Sequence, residues 1–93
     1  MISVKRIVWT DEAELHIWVR HRVSINEVEE AAYASKLIVR GRESGIYEVY
    51  GRTEAGRYLL AIVRLINGNT AKLITARGMT LAEQRRFKRH IAH

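Results

Sequence analysis

The sequence contains no cysteine and no proline, and only six glycines among its 93 residues. The absence of cysteine excludes disulfide frameworks, thiolate chemistry and cysteine-ligated zinc. Because proline is absent and the glycines fall in predicted turns, no linker is visible, and residues 1–93 are expected to form one domain. No apolar run approaches the roughly 18 residues of a membrane span, and the start lacks the pattern of a signal peptide. We therefore expect a cytoplasmic chain that does not contact a membrane.

Familiar site motifs are also missing. The sequence has no glycine-rich phosphate loop, no serine nucleophile elbow and no dinucleotide fingerprint. His16 and His21 are five residues apart, which is not the spacing of a helical metal pair, and His90 and His93 lie at the end of the chain. We therefore expect neither a metal nor another cofactor.

Basic residues are abundant and unevenly placed. Lysine and arginine number 16 against ten acids, and most of the 16 are arginine. Residues 1–50 carry a net charge of −1, whereas residues 51–93 carry +7. Arginine favours bidentate binding of phosphate or carboxylate. The asymmetry is typical either of a half that binds a polyanion or of a basic protein with solvated arginines on its surface.

The hydrophobic pattern predicts an α+β fold with the element order β-α-α-β-β-β-β-α. We expect a mainly antiparallel sheet of four to five strands, with two N-terminal helices and one C-terminal helix covering one face. In the first helix, Asp11 and Glu14 have capping-box spacing, and Leu15, Trp18 and Val19 form an apolar face. The other expected elements are strands at 4–9, 37–40, 46–50, 57–66 (the longest) and 70–76, and capped helices beginning after Ser24 and Thr80.

Alternation along the strands places polar side chains on shared faces. Glu48, Tyr50 and Arg52 share one face of their strand. In the last strand, Leu73, Thr75 and Arg77 are expected to share a face, whereas Arg57 lies at the beginning of the longest strand. The two tryptophans, Trp9 and Trp18, are expected to be packing residues.

The same alternation allows Glu48, Arg52, Arg57 and Arg77 to gather near one end of neighbouring strands. A carboxylate among guanidiniums can act as a general base beside a phosphate, while the guanidiniums stabilise the charge that develops on phosphorus. The alternative is that Glu48 forms a surface ion pair and that the arginines only keep the sheet edges soluble.

Several segments together resemble the BrnT-type toxins of bacterial type II toxin–antitoxin systems, which are small basic ribonucleases with a RelE-like fold. The matching segments are residues 8–11, 20–24, 27–31, 51–57, 74–77 and 79–80, with Glu83 and residues 85–86. One departure concerns Arg22, which stands where the family usually has glycine. A left-handed helix end is less favourable for arginine than for glycine, so this corner is expected to differ.

The resemblance implies RNA cleavage without a metal, neutralisation by a cognate antitoxin (usually a ribbon-helix-helix protein), and contact with operator DNA only through that antitoxin. Glu48, or alternatively His21, would take the proton of the 2′-hydroxyl, and Arg52, Arg57 and Arg77 would hold the phosphate. The alternative function is an inactive module of the same fold that binds nucleic acid or an acidic protein. The RNA-binding residues expected around the site are Arg20, Tyr50, Lys72, Arg85 and Arg86.

Overall fold

The structure is a computed structural model that describes residues 2–92. The order of its elements, β-α-α-β-β-β-β-α, is the predicted one. The longest strand is the last, with nine residues, because its pairing continues to Gly78. The elements are β1 (Arg6–Val8), α1 (Asp11–His21), α2 (Ile25–Tyr33), β2 (Leu37–Arg40), β3 (Ile46–Arg52), β4 (Tyr58–Leu65), β5 (Thr70–Gly78) and α3 (Leu81–Ile91).

The five strands form a mixed sheet in the order β1-β5-β4-β3-β2. The pairs within β2 to β5 are antiparallel, but β1 runs parallel to β5, with Val8 opposite Lys72. The prediction of an antiparallel sheet is therefore wrong at this edge. Parallel neighbours require a long crossover connection, and here all of α1 to β4 lies between them in the chain.

Helices lie on both faces of the sheet. On one face, which we call the α1/α2 face, Ile17 and Val28 belong to the same buried cluster as Leu59. On the other, the α3 face, Phe87 packs with Leu60. The prediction that the helices cover one face is wrong. The consecutive residues Leu59 and Leu60 of β4 are both buried, and because they point in opposite directions both faces need a cover.

The close approach of α2 to β3 depends on Gly51. A Cβ atom at this position would collide with the backbone carbonyl of Ala31. Only glycine lets the helix come this near to the strand. The contact fixes the last part of β3, which carries Arg52.

The first helix is capped differently from the prediction. Thr10 is the N-cap, and its Oγ1 accepts a hydrogen bond from the Ala13 N–H at 3.1 Å. Asp11 is the first helical residue, so its predicted capping role is wrong. A threonine hydroxyl satisfies the same free amide of the first turn. The other predicted caps are confirmed as capping boxes, Ser24–Glu27 and Thr80–Glu83.

The predicted apolar face of α1 points outward. Leu15, Trp18 and Val19 are 63%, 49% and 57% exposed, whereas Ile17 is fully buried. Trp9 is also exposed, at 36%, so neither tryptophan is a core residue. The helix packs on β5 near one edge of the sheet, where one residue of its length, Ile17, is buried. The spacing therefore identified a helix correctly but identified the wrong face.

The corner between α1 and α2 has the left-handed helix end that the arginine was expected to disfavour. Arg22 has φ 53° and ψ 43°. Its N–H donates to the Trp18 carbonyl at 2.9 Å, and the Val23 N–H donates to the Ile17 carbonyl at 3.2 Å. The first is the single bond of an αL helix end, in which glycine is the usual residue. The corner therefore keeps this geometry without glycine.

A β-bulge interrupts the alternation of β5. Ile62 pairs with Thr75 but Val63 pairs with Leu73, which leaves Ile74 without a partner in the register. Because one residue is extra, Leu73 lies on the α1/α2 face while Arg77, opposite Leu60, lies on the α3 face. The prediction that Leu73 shares a face with Thr75 and Arg77 is wrong for this reason.

Candidate active site between α3 and the sheet

Five polar side chains meet where α3 crosses the sheet, and we call them the α3 cluster: Glu48, Tyr50, Arg77, Glu83 and Arg86. Tyr50 and Arg77 both lie opposite Leu60, on either side of β4. The Tyr50 hydroxyl donates to Glu48 Oε1 at 2.8 Å, and the guanidinium carbon of Arg86 lies 5.7 Å from the centre of the Tyr50 ring. Four predicted site residues, Glu48, Tyr50, Arg77 and Arg86, therefore lie in one cluster.

Arg77 is held firmly and keeps part of its guanidinium open. Nη1 donates to Glu83 Oε1 at 2.8 Å and to the Gly78 carbonyl at 3.0 Å, and Nη2 donates to Glu83 Oε2 at 2.9 Å. These bonds use the edge of the guanidinium that lies between Nη1 and Nη2. In residues 2–92, no hydrogen bond is made by Nε, which with the second N–H of Nη2 forms the other edge. Two parallel N–H donors on one edge match two oxygens of a phosphate.

Glu83 connects this arginine to the beginning of α3. Its Oε1 also accepts the Thr80 N–H at 2.8 Å, while its own N–H donates to Thr80 Oγ1 at 3.2 Å. The hydrogen bonds from Arg77, with the Thr80 N–H and against the effect of burial, lower the pKa of Glu83 to about 2. The carboxylate is therefore ionised at neutral pH and holds Arg77 in place.

Tyr50 is a hydrogen-bond donor rather than a surface ring. It is only 3% exposed, so it has no open face on which a base could stack. Burial, followed by the hydrogen bond to Glu48, raises its pKa to about 12. The hydroxyl therefore stays protonated at neutral pH and orients the Glu48 carboxylate.

Arg52 lies on the same face of the sheet but on the other side of α3. Its guanidinium carbon is 5.5 Å from the centre of the Tyr58 ring, and the Lys88 Nζ is 5.1 Å from the same point. Residues 86 and 88 are about 200° apart around a helix. Because Arg86 lies over Tyr50 and Lys88 over Tyr58, α3 separates Arg52 from Glu48. The structure does not bring Arg52 into the α3 cluster.

Arg57 lies on the opposite face, in a structural contact. Its Nη1 donates to both oxygens of Glu27 at 3.2 Å and to the Arg22 carbonyl at 2.6 Å, and its Nη2 donates to the His21 carbonyl at 3.0 Å. Burial by itself raises the pKa of Glu27, but the Ser24 N–H and Arg57 outweigh it and lower the value. Arg57 therefore joins the end of α1 to the beginning of α2, and its predicted grouping with Glu48 and Arg77 is wrong.

The other predicted site residues are spread over the surface. Arg20 and His21 belong to the last turn of α1, with the sheet between them and Glu48. Arg85 is exposed on α3, two positions before the buried Phe87, so it points away from the sheet. Lys72 is exposed on the α3 face, opposite Arg64.

Sequence reasoning missed Glu83 as a site residue. The Thr80–Glu83 spacing identified it as a helix cap, which it is, but one carboxylate can serve a cap and an arginine together. The useful signal was the spacing of six residues between Arg77 and Glu83 across a strand–helix corner.

Within residues 2–92 the structure contains neither a metal-ligand group nor a membrane-spanning helix. Within this range no group of three or more His, Asp or Glu side chains is arranged to hold a metal. His93 lies outside the described residues. In the same range no helix has the length and apolar character needed to span a bilayer.

The arrangement of a mixed sheet with two helices on one face and a basic helix on the other is the BrnT-type toxin fold. A similar solved structure is that of the Brucella abortus ribonuclease toxin BrnT, with a TM-score of 0.62 and 11% sequence identity, covering 86% of this chain and 99% of that one. This likeness confirms, for the fold, the resemblance seen in the sequence. No protein-family model matches the chain, and no curated protein matches it.

Proposed function

We propose that this chain is a cytoplasmic ribonuclease toxin of a type II toxin–antitoxin pair that cleaves RNA without a metal ion. The observation that carries the proposal is the α3 cluster, where Glu48 and an arginine with an open N–H edge, Arg77, are near enough to interact electrostatically. The fold of a protein described as a ribonuclease toxin supports the same activity. The net charge of +6 favours a polyanionic substrate.

In the proposed reaction, Glu48 acts as the general base. It takes the proton of a 2′-hydroxyl, the 2′-oxygen forms a bond to the adjacent phosphorus, and the bond from phosphorus to the 5′-oxygen breaks. The leaving 5′-oxygen takes a proton from water, so the products are a 2′,3′-cyclic phosphate and a 5′-hydroxyl. Tyr50 orients Glu48 through the 2.8 Å hydrogen bond and does not act as the acid, because its pKa is raised to about 12. His21 is not proposed as the base, since the sheet separates it from Arg77.

The guanidinium groups stabilise the negative charge of the transition state. Arg77 offers its open edge to two phosphate oxygens, and Arg86 adds a second positive charge beside Tyr50. Donors that are fixed before the substrate binds stabilise developing charge without reorganising during the reaction. Glu83 provides this fixation for Arg77.

The activity is tested by incubating the purified protein with RNA in the presence of EDTA. We expect cleavage by the wild type and a loss of at least about 100-fold in Glu48→Gln, because this variant cannot accept the proton. The matched control is Glu12→Gln, which removes the same charge from exposed α1. Equal activity of the two variants would remove Glu48 from the mechanism, and loss of wild-type cleavage in EDTA would contradict the metal-independent reaction.

The proposed partner is an antitoxin, of the ribbon-helix-helix type in this family, that covers the toxin and alone contacts operator DNA. We expect induced expression of the chain to arrest growth, and co-expression of a small ribbon-helix-helix protein encoded next to it to restore growth. Arrest that such a neighbour does not relieve would contradict the assignment of the partner.

The second candidate is an inactive module of the same fold. One observation favours it: Glu83 already binds Arg77 with two hydrogen bonds, which partly neutralises the guanidinium. In that case, expression leaves growth unchanged while the protein binds nucleic acid in a salt-sensitive manner.

A further inference from the structure

The α3 face is only partly covered by its helix. Phe87 of α3 packs over Leu60, but the next positions of β4 toward the β4–β5 turn are more open. Ile62 is half-buried, and Arg64 is exposed. On the neighbouring strand Lys72 is exposed as well. An open strip of sheet therefore extends from the α3 cluster to Arg64 and Lys72.

Two like charges stand directly opposite each other at the end of this strip. Arg64 and Lys72 are register partners of the antiparallel β4–β5 pair, and both side chains lie on the α3 face. Directly opposed like charges destabilise a sheet. Arg64 has a loose contact of 3.9 Å with Glu43, whose side chain is 78% exposed, and Lys72 forms no salt bridge within residues 2–92. The unfavourable pair is explained if an anionic ligand lies over it.

The distance from the α3 cluster suits an RNA strand. Glu48 lies opposite Ile62, and Arg64 is two residues further along β4. Two residues of a strand correspond to about 6.8 Å, and neighbouring strands are about 4.8 Å apart, so the backbone of Arg64 lies about 8 Å from that of Glu48. This is the scale of one nucleotide step along an extended single strand. A phosphate beside Glu48 would therefore place its neighbour over Arg64 and Lys72.

We propose that Arg64 and Lys72 bind the phosphate one nucleotide away from the cleaved one, and that the substrate is extended single-stranded RNA. The proposal rests on the proposed ribonuclease function. A single strand can follow the open strip beside α3 with its bases turned out, whereas an A-form duplex holds its strands in a fixed, wider geometry. When the RNA binds, the Arg64 side chain leaves its 3.9 Å contact with Glu43 and binds the phosphate instead.

The test uses a fluorescent 2′-O-methyl oligonucleotide of mixed sequence and about 12 nucleotides, a length within the range that single-strand binding surfaces cover. It lacks the attacking hydroxyl and is not cleaved. Affinity is measured by anisotropy over a series of salt concentrations for wild type, Lys72→Gln, Arg64→Gln and the control Lys5→Gln. Lys5 is an exposed lysine just before β1, so its substitution removes the same charge elsewhere.

We expect Lys72→Gln and Arg64→Gln each to reduce the slope of log affinity against log salt by about 0.7, as for one lost phosphate contact, and Lys5→Gln to leave it unchanged. Annealing the oligonucleotide to its complement should weaken binding. Slopes equal to that of Lys5→Gln, or a preference for the duplex, would overturn the proposal.

Cleavage of the corresponding all-ribose oligonucleotide separates this proposal from the ribonuclease function. If the slopes change as expected but no variant cleaves RNA, the phosphate site stands and the ribonuclease function fails. If the wild type cleaves RNA but the slopes match the control, the ribonuclease stands and the phosphate site fails. No binding and no cleavage would overturn both.

Discussion

An arginine near the end of a strand meets different neighbours on the two faces of the sheet. On the α1/α2 face, Arg57 donates to Glu27 and to two backbone carbonyls, which leaves little of its guanidinium for a ligand. On the α3 face, Arg77 is bound at one edge by Glu83 and keeps another edge open. Both arginines lie at the same end of the β4–β5 pair, Arg57 just before β4 and Arg77 near the end of β5. What distinguishes a binding arginine from a structural one is which of its N–H groups the fold has already used.

The largest effect that tests this comparison is expected for Arg77→Ala. Removing a preorganised donor to the transition state lowers kcat by about 100- to 1000-fold. Loss of the half-buried, bidentate pair with Glu83 should lower the free energy of unfolding by about 1–2 kcal/mol, because hydrogen bonds between charged groups are stronger than neutral ones. The measurements are single-turnover cleavage and urea unfolding. Unchanged cleavage with strong destabilisation would make Arg77 a structural residue like Arg57.

The next effect concerns stability in acid. The pKa of Glu83 is lowered to about 2 in the folded protein, so its contribution to stability is complete above about pH 4.5 and is lost as the pH falls toward 2. After allowance for solvent screening we expect this contribution to be about 2 kcal/mol. Glu83→Gln should therefore flatten the acid side of the curve of unfolding free energy against pH. If the free energy of unfolding of the wild type does not change between pH 4.5 and pH 2, Glu83 is not stabilised by Arg77 and Thr80.

A smaller effect is expected for Arg57→Ala. The substitution leaves Glu27 and the carbonyls at the end of α1 without their donor, so the free energy of unfolding should fall by about 1–2 kcal/mol. Cleavage per folded molecule should remain close to that of wild type. Urea unfolding and cleavage under fully folded conditions measure the two quantities. A variant that is stable but does not cleave RNA would indicate that Arg57 acts in the active site.

The smallest effect is expected at the corner between the helices. Arg22 has φ 53°, which glycine adopts without strain. Arg22→Gly should therefore raise the free energy of unfolding by about 0.5–1 kcal/mol, because relief of the left-handed strain exceeds the extra chain entropy of glycine, less what the contact with Trp18 contributes. Thermal unfolding of the variant, with Arg42→Gly in an exposed loop as the control, measures the difference. A loss of stability would mean that the Trp18 contact outweighs the backbone strain.

Local features of the fold were predictable because they depend on neighbouring residues. The capping boxes at Ser24 and Thr80 follow from spacing alone, and the Asn67–Asn69 turn between β4 and β5 occurs where the residue types require it. Long-range features were not predictable in the same way. Two such features are the parallel pairing of β1 with β5 and the covering of both sheet faces by helices. Both depend on contacts between segments that are distant in the chain, and the periodicity of a single segment carries no information about them.

In the candidate site, too, some features were predictable from the sequence and others were not. Glu48 and Arg77 were expected to approach each other, and they lie in one cluster. The strand parity that grouped Arg57 with them failed because parity gives a face but not a partner, and Glu27 is 30 residues away in sequence. The extra residue at Ile74 was equally invisible, since a bulge changes no residue type in the pattern.

The shared carboxylate of Glu83 has an evolutionary consequence. The N3 position of a capping box accepts glutamate or glutamine, but here a shorter or neutral replacement would also weaken the hold on Arg77. Drift at this position is therefore constrained by two demands at once. A lineage that lost the arginine would keep only the capping demand at this position, so glutamine should replace Glu83 more readily there.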